Sequence, residues 1–335
     1  MTDLTDTGSI SVVVPIFNDV ERVGDALESI VKQTLPPAEI IVSDDGSDDE
    51  IEQFVRDFAA TQAGTVAVKY VRAASRSGDA AARNQGIAAA GGEWIAICDS
   101  DDVWAPAKLE RQMSFLRHWQ GSRPIALLGT HGYNMNDAKK IISPAIMGPT
   151  SEDDYNQVRR TGGLFFVIHS SALFSRADFE AVGGYSTDEY GAANEFDFFC
   201  RLAERGVVMN LPEPLVFYRK RAGSMQLDRF WNRHQNVMRL TENERRRAHG
   251  EAPIGREEFA AQQASASLWT RFTRRKLAWG MYYYRAGATN MVNGRRLRGG
   301  AELVLASFLD GGRLRAGVRN LLRGRRSHES SASPL

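Results

Sequence analysis

Trp94-Ile95-Ala96-Ile97-Cys98-Asp99-Ser100-Asp101-Asp102 decides how this chain folds, because an apolar run of strand character ends abruptly in three carboxylates within four residues. Strand interiors exclude such charge, so the acids stand at the strand's carboxyl end. Carboxylates this crowded repel one another unless a cation neutralises them, and hard divalent ions such as Mg²⁺ or Mn²⁺ take oxygen ligands. A metal that holds a diphosphate follows from that chemistry. The competing reading is that Asp101 or Asp102 caps a helix beginning near Pro106, but a cap takes one Asp, not three.

The same layout occurs earlier, in Ile40-Ile41-Val42-Ser43-Asp44-Asp45-Gly46-Ser47-Asp48-Asp49. In open α/β sheets ligands sit outside the carboxyl ends of the strands, so the two clusters are expected to face one ligand. Gly46 permits a tight turn, and Ser47 or Asp48 is placed to cap a following helix. Capping does not account for Asp44 and Asp45, which precede any cap position.

Working outward, residues 10–16 are a β-branched run, and 20–33 carry Val23, Leu27, Ile30 and Val31 at helical spacing. Strands are predicted at 39–43, 66–71, 93–98 and 125–130, and helices at 50–60, 79–90 and 107–119. This alternation predicts a largely parallel sheet covered by helices. Beyond residue 130 the pattern loosens. Residues 164–174 are apolar and uncharged, 175–182 and 194–205 read as helices, and the chain then passes Pro212 and Pro214 to Leu215-Val216-Phe217-Tyr218. From about residue 224 only helices are expected. The division is a polar tail at 1–9, a catalytic domain at 10–224, a helical extension at 225–326 and a disordered tail at 327–335.

The chain has 335 residues, 43% of them hydrophobic and 25% charged, so it can bury a sizeable core as one large domain with an extension or as two domains. A net charge of +1 hides an acidic first hundred residues and an arginine-rich end. The two cysteines, Cys98 and Cys200, sit in apolar segments and give neither a disulfide framework nor a zinc spacing. There is no basic-then-apolar leader and no apolar stretch of the ~20 residues that span a bilayer, so a cytoplasmic protein, at most peripheral on the inner face of the plasma membrane, is expected. The basic C-terminal helices are candidates for that peripheral contact with anionic lipid.

Four motifs in order, Val14-Pro15-Ile16-Phe17-Asn18, Asp44-Asp45-Gly46-Ser47, Ala82-Arg83-Asn84-Gln85-Gly86 and Asp99-Ser100-Asp101-Asp102, resemble the inverting glycosyltransferase family 2. The likeness continues through Val182-Gly183-Gly184-Tyr185 and Asn194-Glu195-Phe196-Asp197. It implies the GT-A fold, a Rossmann-like, mostly parallel α/β sheet flanked by helices, here with a C-terminal helical extension. It also implies a nucleotide-sugar donor, a saccharide or lipid-linked acceptor, a divalent metal (Mn²⁺ or Mg²⁺), no nucleic-acid partner, and a place in polysaccharide or glycoconjugate synthesis.

Residue by residue, the resemblance puts Asp45 on the nucleotide base, where a carboxylate accepts from a uracil imide N–H. Pro15 and Phe17 join the donor site, Asp99 the ribose, and Asp101 the metal. Arg83 is the basic contact of its motif, or else a surface arginine on a helix; Arg76 and Asp79 are weaker candidates. The family's usual Glu-Asp-x-Asp is replaced by Asn194-Glu195-Phe196-Asp197, so Glu195 takes the position of the base that removes the acceptor proton, one methylene longer than the usual Asp. Asp197 is then an orienting or helix-structural residue, and first-turn acids are favourable in any helix. Where members often carry a histidine after the last strand, this chain has Arg221, which cannot ligate a metal but binds phosphate. Trp104 and Tyr185 are candidates for stacking on sugars or for packing, and His131 and His169 read as structural. A dehydrogenase would need Gly-x-Gly-x-x-Gly after the first strand, which is absent, and a nucleotidyltransferase would need a glycine-rich basic loop there. The altered Glu195 and Arg221 positions leave one alternative, a catalytically silent sugar-nucleotide-binding or assembly protein.

Overall fold

Seven consecutive buried residues, Ile10–Ile16, make β1 the centre of a parallel group, because β-branched side chains buried on both faces are what such a strand requires. The computed structural model describes residues 8–48, 50–62, 64–187, 190–221 and 230–310. The expected tails at 1–7 and 327–335, the boundary at 224–225 and the acid Asp49 lie outside them. The chain divides into two units. The first comprises residues up to Tyr133, Ala145–Tyr218 and Leu240–Ala252; the second comprises Asn134–Pro144, Arg219–Arg239 and the chain from Pro253.

In the first unit β1 is followed by α1 (Val20–Val31), β2 (Glu39–Asp44), α2 (Ile51–Thr61), β3 (Ala67–Arg72), α3 (Asp79–Ala89) and β4 (Trp94–Ile97). β1 pairs in parallel with β2 (Ile16 opposite Asp44), β2 with β3, and β1 with β4 (Val13 opposite Ile97). The carboxyl ends of β2 and β4 therefore flank the end of β1. Val23, Leu27 and Ile30 of α1 and Val55 of α2 pack with Val12, Val14, Ile40 and Val42 in one apolar core. β3 alternates in exposure, as an edge strand bearing Lys69 and Arg72 should.

After β4 come β5 (Val103–Trp104), α4 (Lys108–Arg117), β6 (Ile125–Met135), β7 (Ile141–Ala145), α5 (Glu152–Thr161), β8 (Leu173–Ser175), α6 (Arg176–Ala181), α7 (Asn194–Arg205) and β9 (Val207–Arg219). The strand order is β3-β2-β1-β4-β8-β6-β9-β5, and the pairs β4–β8, β6–β8 and β5–β9 are antiparallel. The sheet is thus mixed, with its parallel half ending at β4. Of the apolar stretch 164–174, only the last two residues are strand; Ser170 and Ser171 lie in a 3₁₀ turn that links buried backbone to α4, Gln112 donating to the Ser171 carbonyl at 2.9 Å. β9 runs through Pro212 and Pro214, where its neighbour β5 is too short to need their missing N–H groups.

In the second unit residues 134–144 form a hairpin closed by Asn134, whose amide donates to Ser143 Oγ at 3.0 Å. The helices are α8 (Phe230–Ala248, its end belonging to the first unit), α9 (Arg256–Ser265), α10 (Leu268–Val292) and α11 (Arg296–Leu309). α10 and α11 approach closely at glycines: a Cβ on Gly287 would lie 2.8 Å from Leu303 Cγ, and one on Gly299 2.7 Å from the Met291 backbone nitrogen. No helix among the described residues is long and apolar enough to cross a membrane.

Candidate active site

At the end of β2 the two adjacent acids are held by dipoles. Asp44 is fully buried; its Oδ1 accepts from the Ser47 backbone N–H at 2.9 Å and from the Ser47 hydroxyl, and its Oδ2 accepts from the Tyr70 hydroxyl at 2.6 Å. Burial first, and then this carboxylate, push the Tyr70 phenol well above its usual value. Asp45 accepts from the Ser77 N–H at 2.6 Å and from the Gly78 N–H at 2.9 Å, just before α3 begins. Arg76 lies with its guanidinium 3.9 Å above the Phe17 ring and its Nε 4.0 Å from Asp45 Oδ2, so Phe17, Asp45 and Arg76 come together. Gly46, at φ +77°, makes the turn beside them; a Cβ there would stand 3.2 Å from the Arg76 nitrogen. Neither Ser47 nor Asp48 caps α2, whose N-cap is Glu50 and makes no side-chain cap bond.

At the end of β4, Asp99 meets a buried guanidinium and a histidine ring. Asp99 Oδ1 lies 3.2 Å from Arg83 Nη2 and 3.7 Å from His169 Nδ1. Arg83, 6% exposed, also bonds Asp79 at 3.0 Å. Burial works to raise the Asp99 carboxyl, but the Arg83 guanidinium and His169 outweigh it and hold the group well below the usual carboxylate range. Burial likewise opposes the charge on Arg83, and Asp99 and Asp79 restore it. Asp101 is half-buried and Asp102 fully buried, its N–H closing a turn onto the Asp99 carbonyl at 3.1 Å. α4 starts at Lys108 without any side-chain cap, so none of the three acids is used as one.

The loop after β1 stitches the two clusters to one edge. Its Asn18 N–H donates to Ser47 Oγ at 2.9 Å and its Oδ1 accepts from the Asp48 N–H at 2.8 Å, while Asp19 accepts from the Ser100 hydroxyl at 3.0 Å. Pro15 is buried one residue from the end of β1, just before this loop.

The Ala-Arg-Asn motif on α3 now has a physical meaning. Arg83 holds Asp99; Asn84 grips the Tyr185 backbone, accepting its N–H at 2.9 Å and donating to its carbonyl at 2.8 Å; and a Cβ on Gly86 would strike Val13 Cγ1 at 2.5 Å. Tyr185 is buried and its hydroxyl lies 2.9 Å from His169 Nε2, so a continuous set of contacts runs Tyr185, His169, Asp99, Arg83, Asp79. Glu195, half-buried in the first turn of α7, joins the same electrostatic neighbourhood. It acts on Arg83 and, with Asp102, Asp101 and Asp99, on the Tyr218 phenol, which burial above all pushes well up.

Asp197 makes a two-pronged pair with Arg201 at 2.9 and 2.7 Å, and Arg201 also donates to the Val182 carbonyl, tying α7 to the end of α6. Trp104 is 2% exposed with its indole N–H on the Ser170 carbonyl at 2.7 Å, so its ring has core neighbours, including Lys108 Nζ at 3.7 Å. Arg221 falls in the second unit. Reading by motif missed His169 and Tyr218; one lies in an apolar segment and the other in a strand, and neither has a spacing signal.

A model of glycosyl transferase family 2 matches residues 11–183, which is more than half of the chain. The chain belongs to glycosyl transferase family 2. An uncharacterized glycosyltransferase of Rickettsia conorii is 33% identical over 158 residues, 47% of this chain and 24% of that protein. The match thus spans about a quarter of that relative, and 18% of a second one from Rickettsia felis. The uncharacterized glycosyltransferase YwdF of Bacillus subtilis is 26% identical over 81% of this chain and 95% of its own length. An Escherichia coli protein named UDP-Glc:alpha-D-GlcNAc-diphosphoundecaprenol beta-1,3-glucosyltransferase is 33% identical over 32% of this chain and 40% of its own. Among solved structures, residues 1–349 of Staphylococcus aureus TarS in complex with UDP superpose with a TM-score of 0.53 at 16% identity, covering 92% of each chain. A Pyrobaculum calidifontis mannosyltransferase with GDP-Man and Mn²⁺ gives 0.54 at 20% identity, covering 90% and 86%. These likenesses establish the GT-A fold for this family 2 member.

Among the described residues no three His, Cys, Asp or Glu side chains converge as a preformed metal cage. Mg²⁺ and Mn²⁺ held with a diphosphate need none, since one or two carboxylates suffice beside phosphate and water oxygens. Asp101 would be the carboxylate to hold such an ion, and the negative charge that Asp102, Asp101, Asp99 and Glu195 bring to bear on the Tyr218 phenol is what a cation would offset.

Proposed function

We propose that this family 2 protein transfers a sugar from a nucleoside-diphosphate donor, a UDP-sugar by preference, to an acceptor hydroxyl with inversion, in polysaccharide or glycoconjugate synthesis. The observation that carries this reading is that Glu195 shares its charge environment with Asp99, Asp101 and Arg83. A base and a donor-holding acidic loop then act within one site.

Asp45 is the base-reading group. An ionised carboxylate has roughly four acceptor positions, and the Ser77 and Gly78 N–H groups leave room for an imide donor. Phe17 and Arg76 form an aromatic and cationic side to the same slot, with Pro15 fixing the strand end. Asp99 faces the ribose and Asp101 the diphosphate metal; Arg83 and His169 keep Asp99 ionised and aimed. A bound Mg²⁺ or Mn²⁺ supplies Lewis-acid stabilisation of the departing diphosphate. Glu195 takes the proton from the acceptor hydroxyl as it attacks the anomeric carbon, and the Asp197–Arg201 pair holds the helix turn from which it reaches. Tyr185 positions His169, and Trp104 supports the strand end from the core.

The name of the Escherichia coli relative favours a lipid-linked saccharide as acceptor over a free one, and the basic C-terminal helices suit a contact with the cytoplasmic face of the membrane. The test is a panel of nucleotide sugars with Mn²⁺, read by release of nucleoside diphosphate. Wild type should turn over one donor. Glu195→Gln should lose turnover and keep nucleotide binding; full activity in that variant would reject Glu195 as base.

A further inference from the structure

The second unit has an open cavity of about 480 Å³ lined by α8, α9 and α10. Its lining includes Arg271, Arg274 and Arg275 of α10, Trp231 and His234 of α8, and Trp279, one turn further along α10. Arginines elsewhere in the helices pair with acids: Arg245 with Glu242, Arg247 with Glu244, Arg298 with Glu302. Among the described residues no carboxylate lies within ion-pair distance of Arg271, Arg274 or Arg275. The three arginines are exposed, and Arg274 donates to the Gln263 side chain; with no carboxylate paired to them, they suit a multiply hydrogen-bonding oxyanion.

The rim says which oxyanion. Leu268, Trp269 and Phe272, on the first two turns of α10, are 81%, 76% and 60% exposed. At 3.6 residues per turn they share one arc of the helix, and Arg271, Arg274 and Arg275 occupy the adjoining arc. A soluble anion needs the arginines but has no use for three exposed apolar side chains beside them. A bilayer surface needs both, since apolar residues enter the acyl boundary while arginines meet the phosphates above it. Trp231 and Trp279, edge to face at 4.7 Å, make a stiff amphipathic floor of the kind found at headgroup depth.

We propose that this cavity binds the phosphate of an anionic lipid headgroup while Leu268, Trp269 and Phe272 enter the same leaflet. The site deepens the membrane contact proposed above and does not depend on the transfer chemistry.

The test is flotation of the full chain with vesicles of phosphatidylcholine alone or with about 30 mol % phosphatidylglycerol. Wild type should float with the anionic vesicles, less so as salt rises. The triple variant R271E/R274E/R275E should lose roughly a hundredfold or more in partitioning, and W269S/F272S should also weaken it, both with unchanged thermal unfolding. The triple Arg→Lys variant, which keeps charge and fold, should retain most binding to the vesicles. Equal flotation of wild type and the glutamate variant would overturn the proposal. So would displacement by millimolar inorganic phosphate, which would make this a free-anion site, or binding to poly-glutamate without binding to vesicles, which would make it a protein surface. Vesicle binding without sugar transfer would sink the reaction of the preceding section and leave this site standing; transfer to a water-soluble acceptor without vesicle binding would do the reverse.

Discussion

The two acidic loops look alike in sequence and are held by different balances of dipole and charge. At the end of β2, Asp44 and Asp45 take short bonds from backbone N–H and hydroxyl dipoles of Ser47, Tyr70, Ser77 and Gly78, with Arg72 and Arg76 farther off at 3.7 and 4.0 Å. At the end of β4, Asp99 takes a guanidinium and an imidazole, each anchored by further partners. Dipoles fix direction and suit the reading of a neutral heterocycle. A close guanidinium such as Arg83 keeps a carboxylate ionised at low cost. A run of acids after a strand therefore does not define one role; the partners behind it do.

The difference can be broken by substitution, in order of effect on turnover. Asp99→Ala should lower kcat/KM by roughly 10²–10³-fold and should also lower Tm, because it removes one of the two carboxylates paired with buried Arg83, measured by donor turnover and thermal unfolding. His169→Phe removes the link between Tyr185 and Asp99 and should cost roughly tenfold to a hundredfold, the range for residues that orient a ligand-bearing group. Because His169 helps hold Asp99 low, this variant should also move the acid limb of the pH–rate profile upward. Asp44→Asn should act on stability alone, losing about 2–3 kcal/mol as the buried bonds to Ser47 and Tyr70 weaken, with turnover of the folded fraction within about threefold of wild type.

Lys108→Met should change transfer least. Lys108 is fully buried behind the β4 loop, and burial lowers its ammonium to about 7. An unfolded lysine titrates near ~10.4, so between pH ~7 and ~10 the unfolded chain binds more protons and wild-type stability rises with pH. Below the folded value the penalty is complete. The methionine variant should lose this slope in denaturant melts taken from pH 7 to 10 and should be the more stable protein at pH 7; an unchanged slope would mean that the lysine stays charged.

The parallel half of the fold was legible because its strands are apolar on both faces and its helices carry clear apolar stripes. α7 coincides with the predicted 194–205 for the same reason. α5 was not foreseen, since Tyr155 is its only buried side chain. Its signals were in the caps: Ser151 accepts from the Asp154 N–H, and Gly162 ends the helix at φ +64°. Asp45, Asp99 and Arg83 could be named from motif order, but His169 could not. It is an ordinary histidine in an apolar stretch until β8 pairs with β4 and its turn comes to lie beside Asp99. Trp104 shows the converse, a tempting aromatic beside the acids that the fold uses in the core.

The most direct test of the division between the two loops is calorimetric titration of UDP into wild type, Asp45→Ala and Asp101→Ala, each with and without Mn²⁺. The expected result is that Asp101→Ala abolishes the gain in affinity conferred by Mn²⁺ and leaves metal-free binding intact, and that Asp45→Ala weakens binding equally in both conditions. Retention of the full Mn²⁺ effect in Asp101→Ala, or unaltered binding in Asp45→Ala, would contradict it.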